Sequence, residues 1–162
     1  RYQNSVSPDR VSAAGALSVS AVSESDADPV AWIMEQTGGK GVSVAIDCAG
    51  TTESVTNCLN SVRPGGQLLL VGNPKGEMAF DQASYWKILR HQIRVTGTWN
   101  SMFHHNNGDD WHCVADAVAD GELHLSELIT HRLPFDGLLR GLAIEREHTE
   151  YFNKIMIFGG CG

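Results

Sequence analysis

Val42-Ser43-Val44-Ala45-Ile46-Asp47-Cys48-Ala49-Gly50, followed one helix-length later by Gln67-Leu68-Leu69-Leu70-Val71-Gly72, reads as strand, helix, strand. The first run is short and β-branched, and it ends in small residues where backbone or a ligand comes close. Between the runs, Thr51 or Thr52 is placed to accept from the first free amides of a helix, and Glu53 sits in its positive first turn. Val55, Cys58, Leu59 and Val62 recur on one face of that helix, and Pro64-Gly65-Gly66 stops it. The second run is apolar almost throughout, as expected of a strand buried on both faces, so the two strands form a parallel α/β unit joined by a right-handed crossover. Such a sheet normally holds a phosphate at a glycine-rich turn, and none stands upstream in this sequence.

The flanks extend the same alternation. Arg1 to Val6 shows no period, and Ser7-Pro8-Asp9-Arg10 opens a helix that Gly15-Ala16 ends early, so residues 1–16 form an irregular lead-in. Leu17, Val19, Ala21 and Val22 suggest a strand, and Ser23 to Asp28 an acidic polar loop. Asp28-Pro29 enters a helix with Val30, Ile33 and Met34 as its buried stripe, closed by Gly38-Gly39. After a turn at Asn73-Pro74-Lys75-Gly76, Asp81 caps a helix whose Tyr85, Trp86 and Leu89 are expected to face the sheet. Ile93 to Trp99 is the next strand; a polar loop from Asn100 to Gly108 leads to Asp109-Asp110 as caps of a helix with Trp111, Val114, Ala115 and Val118 on one side, ended by Gly121. Leu128 to Leu133 is a strand, Pro134-Phe135-Asp136 opens a last helix, and Lys154 to Phe158 is a final strand.

With 162 residues, 42% of them apolar, the chain is long enough for one domain with a real core. A net charge of -7 without a lysine or arginine cluster argues against nucleic acid or an anionic membrane as partner. No apolar run approaches the roughly 20 residues that span a bilayer, and no signal-peptide stretch opens the chain, so a cytoplasmic protein is expected. Cys48, Cys58, Cys113 and Cys161 are widely separated, which favours reduced thiols over disulfides or a structural zinc.

Taken in order, Thr37-Gly38-Gly39-Lys40-Gly41, Asp47-Cys48-Ala49-Gly50, Arg63-Pro64-Gly65-Gly66, Val71-Gly72 and Gly97-Thr98-Trp99-Asn100-Ser101 resemble the C-terminal part of zinc-containing medium-chain alcohol and polyol dehydrogenases. Trp86-Lys87-Ile88-Leu89-Arg90 and Asp110-Trp111 add a likeness to the sorbitol and galactitol-phosphate branch. The resemblance runs from about residue 7 to residue 158 and implies an α/β fold with a doubly wound, Rossmann-like parallel sheet. It is partial: the first strand-helix-strand unit, with its G-x-G-x-x-G turn, has no counterpart here, nor do the family's zinc ligands. A single truncated domain over 1–162 is therefore expected, with 128–162 as the return segment that in relatives packs on the catalytic domain. In the family's strand order the segment Leu17 to Val22 would lie beside a gap, so it is expected to shift, to leave the sheet or to pair elsewhere.

Carried over by position, the resemblance implies NAD or NADP as cofactor, with backbone contacts near the nicotinamide from Cys48, Ala49 and Gly50, from Val71, Gly72 and Asn73, and from Gly97, Thr98 and Trp99. It places Lys154 near the pyrophosphate and Arg10 near the adenosine ribose or a 2′-phosphate, although a lysine beside a terminal strand also suits a solvated edge. It implies a homodimer through the outer strand near Ile93–Trp99, and a missing N-terminal half as a further partner. No zinc site and no catalytic residue are expected within these residues.

Other constellations have plainer readings. His104-His105, His112 and Cys113 carry ligand chemistry, yet their spacing fits no zinc pattern. His131 reads as a satisfied structural histidine. Asp47 and Cys48 read as close packing at a strand end rather than as a nucleophile, since no histidine stands at a motif-fixed distance. Trp32, Trp86, Trp99 and Trp111 are core or interface area, with Trp99 the best interface candidate. The functions that follow are a dehydrogenase fragment inactive alone, a non-catalytic oligomerisation or binding module, or an S-adenosylmethionine methyltransferase-like domain, in which Arg63-Pro64-Gly65-Gly66 before an apolar strand also occurs.

Overall fold

The structure, a computed structural model, describes residues 20–23, 26–74, 76–103 and 108–159. Two compact units divide between Trp99 and Asn100.

In the first unit, helix α1 (Pro29–Gln36) begins where Asp28 accepts from the amides of Val30 and Ala31, with proline in the first turn. It ends at Thr37, and Gly38 and Gly39 follow with φ of +59° and +78°. Val30, Ile33 and Met34 are only half-buried, and the helix packs against α2. Strand β1 (Val42–Asp47), helix α2 (Thr52–Ser61), strand β2 (Val62–Leu70), helix α3 (Gln82–Arg90) and strand β3 (Arg94–Gly97) complete the unit. The three strands are parallel in the order β1-β2-β3. Residues 17–19 lie outside the described residues, and 20–22 carry no strand.

The core lies between α2 and one face of the sheet. Val55, Cys58, Leu59, Val62, Leu68 and Ile93 are buried there, with Ala45, Leu70 and Ile88 packed against them. All four residues of the stripe expected on α2 are present in it. Its cap is Thr51, whose hydroxyl accepts from the Ser54 amide while Ser54 Oγ accepts from the Thr51 amide. Burial on both faces, expected of β2, is partial: Leu68 is enclosed and Leu69 and Leu70 are half-buried, while Val44 and Ile46 on the outer face of β1 are 53% and 46% exposed.

Two further expectations are corrected in detail. β2 starts at Val62, directly after the helix, and takes Pro64-Gly65-Gly66 into its span as a bulge. Val42 pairs with Val62 and Val44 with Gln67, so the extra residues loop out, Gly65 at φ +72°, with its amide donating to the His91 carbonyl at 2.7 Å. On α3, Tyr85, Trp86 and Leu89 do not face the sheet; all three are exposed, whereas Ser84 is buried and Ile88 packs on the core. Asp81 sets this phase by accepting from the Ser84 amide at 2.8 Å, and the Ser84 hydrogen bonds, side chain first and backbone second, hold its carboxyl below the usual value. Trp86 instead stacks under the Arg90 guanidinium, 3.8 Å from its ring centroid.

In the second unit, helix α4 (Asp110–Ala119) is capped by Asp109, which accepts from the His112 amide at 2.8 Å. Asp110 is not a second cap: its carboxylate takes the Met102 amide at 2.9 Å. Trp111, Val114 and Val118 are exposed. After Gly121 (φ +72°) and a 3-10 turn at Leu125–Leu128 come strand β4 (Ile129–Pro134), a 3-10 turn at Phe135–Gly137, helix α5 (Leu138–Glu147) and strand β5 (Lys154–Phe158). β4 and β5 are parallel, and α5 approaches them through Gly141, where a Cβ would stand 3.2 Å from Ile155. Leu133 and Ile144 are the buried apolar pair. His131 is satisfied, as expected, by Thr130 Oγ1 at 3.0 Å, with Glu150 3.5 Å from its other ring nitrogen.

Candidate functional site

β1 ends in a carboxylate that is only 2% exposed. Asp47 accepts from the Ala49 amide at 3.2 Å, from the Gly50 amide at 3.1 Å and from Ser54 Oγ at 2.6 Å. A buried charge needs such partners, and these bend residues 48–50 back over the strand end and tie that turn to the first turn of α2. Gly50 takes φ +68°, a conformation that favours glycine.

The end of β2 interlocks with this turn. The Asp47 carbonyl accepts from the Val71 and Gly72 amides at 2.9 and 3.0 Å. A Cβ on Gly72 would fall 2.1 Å from the Gly50 nitrogen, and one on Gly50 would fall 2.5 Å from the Asn73 oxygen. β3 joins at the same level, where the Thr98 amide donates to the Leu70 carbonyl at 3.0 Å. Residues 48–50, 71–73 and 97–99 thus meet at the carboxyl edge of the three strands, the edge at which open α/β sheets bind ligands. Cys48, Val71, Asn73, Gly97, Thr98 and Trp99 are exposed along it, and nothing stands within 4 Å of a Cβ on Gly97. Lys154 is an exposed residue at the start of β5 in the second unit, and Arg10 lies outside the described residues.

Sequence reasoning missed the task of Asp47. The signal was present: an aspartate two and three residues before amides it can accept, with a glycine in the turn, is an Asx-type arrangement. The contribution of Ser54 depends on how α2 lies over β1 and has no local signature.

No metal centre emerges among the described residues, where no three His, Cys, Asp or Glu side chains cluster. His104 and His105 lie outside them. His112 Nδ1 meets Asp109 at 2.8 Å and its ring stacks on Phe103. Burial, then the Asp47 carboxylate and then Cys48, push the Cys58 thiol up from 9.0 to about 12, and the Cys113 side chain is exposed. Because the folded state holds the Cys58 proton, this group's contribution to stability is intact below pH 9.0 and declines as pH rises towards 12. Iodoacetamide near neutral pH is expected to label Cys48 and Cys113 but not Cys58 until urea is added. Peptide mass mapping reads this, and equal labelling of Cys58 in the native chain contradicts its burial. No helix among the described residues is long and apolar enough to cross a membrane.

The profile of the family described as "Zinc-binding dehydrogenase" matches residues 4–120. The chain belongs to this family. Among individual zinc-binding dehydrogenase relatives, it is 31% identical over 100 residues to an L-arabinitol 4-dehydrogenase of Talaromyces emersonii, covering 60% of this chain and 23% of that protein. It is 30% identical over 108 residues to an L-threonine 3-dehydrogenase of Thermococcus kodakarensis, covering 65% and 28%. The crystal structure of galactitol-1-phosphate dehydrogenase from Escherichia coli superposes with a TM-score of 0.77 over 91% of this chain and 43% of that one, at 20% identity, a likeness of fold. The chain therefore spans about a quarter of the curated relatives it matches. These matches favour the dehydrogenase reading over the methyltransferase and module readings, and the medium-chain dehydrogenase likeness seen in the motifs holds.

Proposed function

We propose that this zinc-binding dehydrogenase chain serves the NAD(P)-dependent oxidation of an alcohol or polyol, and that its carboxyl edge forms the wall beside the nicotinamide. The observation that carries this reading is the meeting of the 48–50, 71–73 and 97–99 turns, two of them interlocked by Gly50 and Gly72 so closely that no side chain separates them. Such an edge fits a flat ring: the interlocked Gly50 and Gly72 bring backbone to it, open space stands at Gly97, and the exposed Val71 and Trp99 offer apolar area beside it. Bound dinucleotide supplies the hydride acceptor; the residues of this chain orient its ring end and shield it from water on one side. Arg10 and Lys154 belong to the reading as phosphate or ribose contacts.

The described residues do not fit zinc, since the free Cys48, Cys58 and Cys113 form no cluster with other ligands. No step is assigned to a metal within them. The 162 residues by themselves are proposed to be inactive, a fragment in functional terms, because their sequence carries no G-x-G-x-x-G turn for the pyrophosphate and no metal set to polarise an alcohol gathers among the described residues. An N-terminal half bearing those elements, beyond these 162 residues, is what this reading calls for, in a cytoplasmic setting. A homodimer through Ile93–Trp99 belongs to it as well: every residue of β3 is exposed and Trp99 is 71% exposed.

Calorimetric titration of the chain with NAD⁺, NADH and NADPH, with its mass in solution measured on the same sample, is the test. NADH is expected to bind with a Kd of roughly 1 mM or tighter, about 4 kcal/mol, without turnover of polyols. Absence of heat from every dinucleotide overturns the cofactor-edge reading. A stable dimer in that case supports the second reading, a binding or oligomerisation module, which the exposed β3 edge favours.

A further inference from the structure

We infer that Asp47 is the positioning residue of the cofactor edge, and that by engaging the amides of its own turn it closes that turn to phosphate. The inference rests on the reading of the carboxyl edge as a dinucleotide wall.

Three observations carry it. The Asp47 side chain is almost wholly enclosed, and its carboxylate accepts hydrogen bonds from the Ala49 amide, the Gly50 amide and the Ser54 hydroxyl. The Asp47 backbone carbonyl simultaneously holds the Val71 and Gly72 amides of the neighbouring strand end. One residue therefore grips both turns, its side chain on one and its carbonyl on the other. Finally, a turn of successive amides beside a helix N-terminus is the arrangement that captures anions, and here a carboxylate of the chain already occupies it. A phosphate approaching the 48–50 turn meets amides already bonded and a negative charge beneath them.

The experiment compares the 162-residue chain with Asp47→Asn, Ser54→Ala and Val62→Ala, the last truncating a buried residue at the far, amino end of β2. NADH affinity is measured well below each melting temperature, and amide hydrogen exchange is read at Ala49 and Gly50 by NMR. Asp47→Asn is expected to weaken NADH about tenfold, as loss of a charge-assisted hydrogen bond does. It is also expected to speed exchange at Ala49 and Gly50 by about tenfold or more. Ser54→Ala is expected to move both readouts less, in the same direction. Val62→Ala is expected to lower the melting temperature while leaving NADH affinity and the two amides as they are. Inorganic phosphate is expected to leave the amide signals of residues 48–50 in place.

Equal loss of affinity in Asp47→Asn and Val62→Ala assigns the effect to general destabilisation and overturns the inference. Unchanged exchange in Asp47→Asn, or a phosphate-induced shift at 48–50 in the parent chain, also overturns it. Failure of the parent chain to bind NADH instead overturns the cofactor-edge reading, and the exchange rates still decide whether Asp47 holds the turn.

Discussion

Gly72→Ala is expected to destabilise the chain by roughly 3 kcal/mol, read as a fall in the urea midpoint of the circular-dichroism transition at unchanged slope. The new Cβ would lie 2.1 Å from the Gly50 nitrogen and 2.8 Å from the Ala49 backbone. Those atoms cannot step aside as a flexible side chain could, because the Ala49 and Gly50 amides are bonded to Asp47 and the Gly72 amide to its carbonyl. To admit one methyl group, two strand ends must part and several bonds must lengthen together. Gly97→Ala is the matched control, since nothing stands within 4 Å of its Cβ and the change should stay within about 0.5 kcal/mol. Equal midpoints for the two variants would show that the turns at β1 and β2 do not interlock.

Leu68→Ala is expected to cost about 3 kcal/mol by the same measurement, a large share of the 5–15 kcal/mol that holds a typical domain. Leu68 is 0% exposed on the middle strand and packs in the cluster with Val55, Leu59 and Ile93. Truncation removes transfer energy and leaves a cavity bounded by a helix and two flanking strands, which cannot close over it. Val44→Ala, on the uncovered face of β1, should change stability by less than about 1 kcal/mol. A similar cost for both would mean that the second face of the sheet is also packed in solution.

Much of this molecule is legible in local sequence. The caps at Asp28, Thr51, Asp81 and Asp109 each act across three residues or fewer, so the helix starts follow from the residue types alone. β5 runs from Lys154 to Phe158 as its apolar run suggests. The carboxyl-edge residues are legible in part through the small residues that follow each strand. The face of α3 is not: Tyr85, Trp86 and Leu89 form the larger apolar stripe, and hydrophobic size alone points it inward. Packing on α2 reverses that choice, admitting Ser84 and Ile88 at the narrow contact and leaving Trp86 to stack on Arg90.

By itself, then, the sequence determined the order of helices and parallel strands and the family to which they belong, because capping, glycine and proline chemistry act over a few neighbouring residues. Tertiary structure alone decided that Pro64-Gly65-Gly66 bulges into β2, that Gly50 and Gly72 interlock, and that Asp47 governs the edge with Ser54. Each of these depends on how a helix or strand lies against another, and a buried carboxylate takes whichever donors that packing brings within reach.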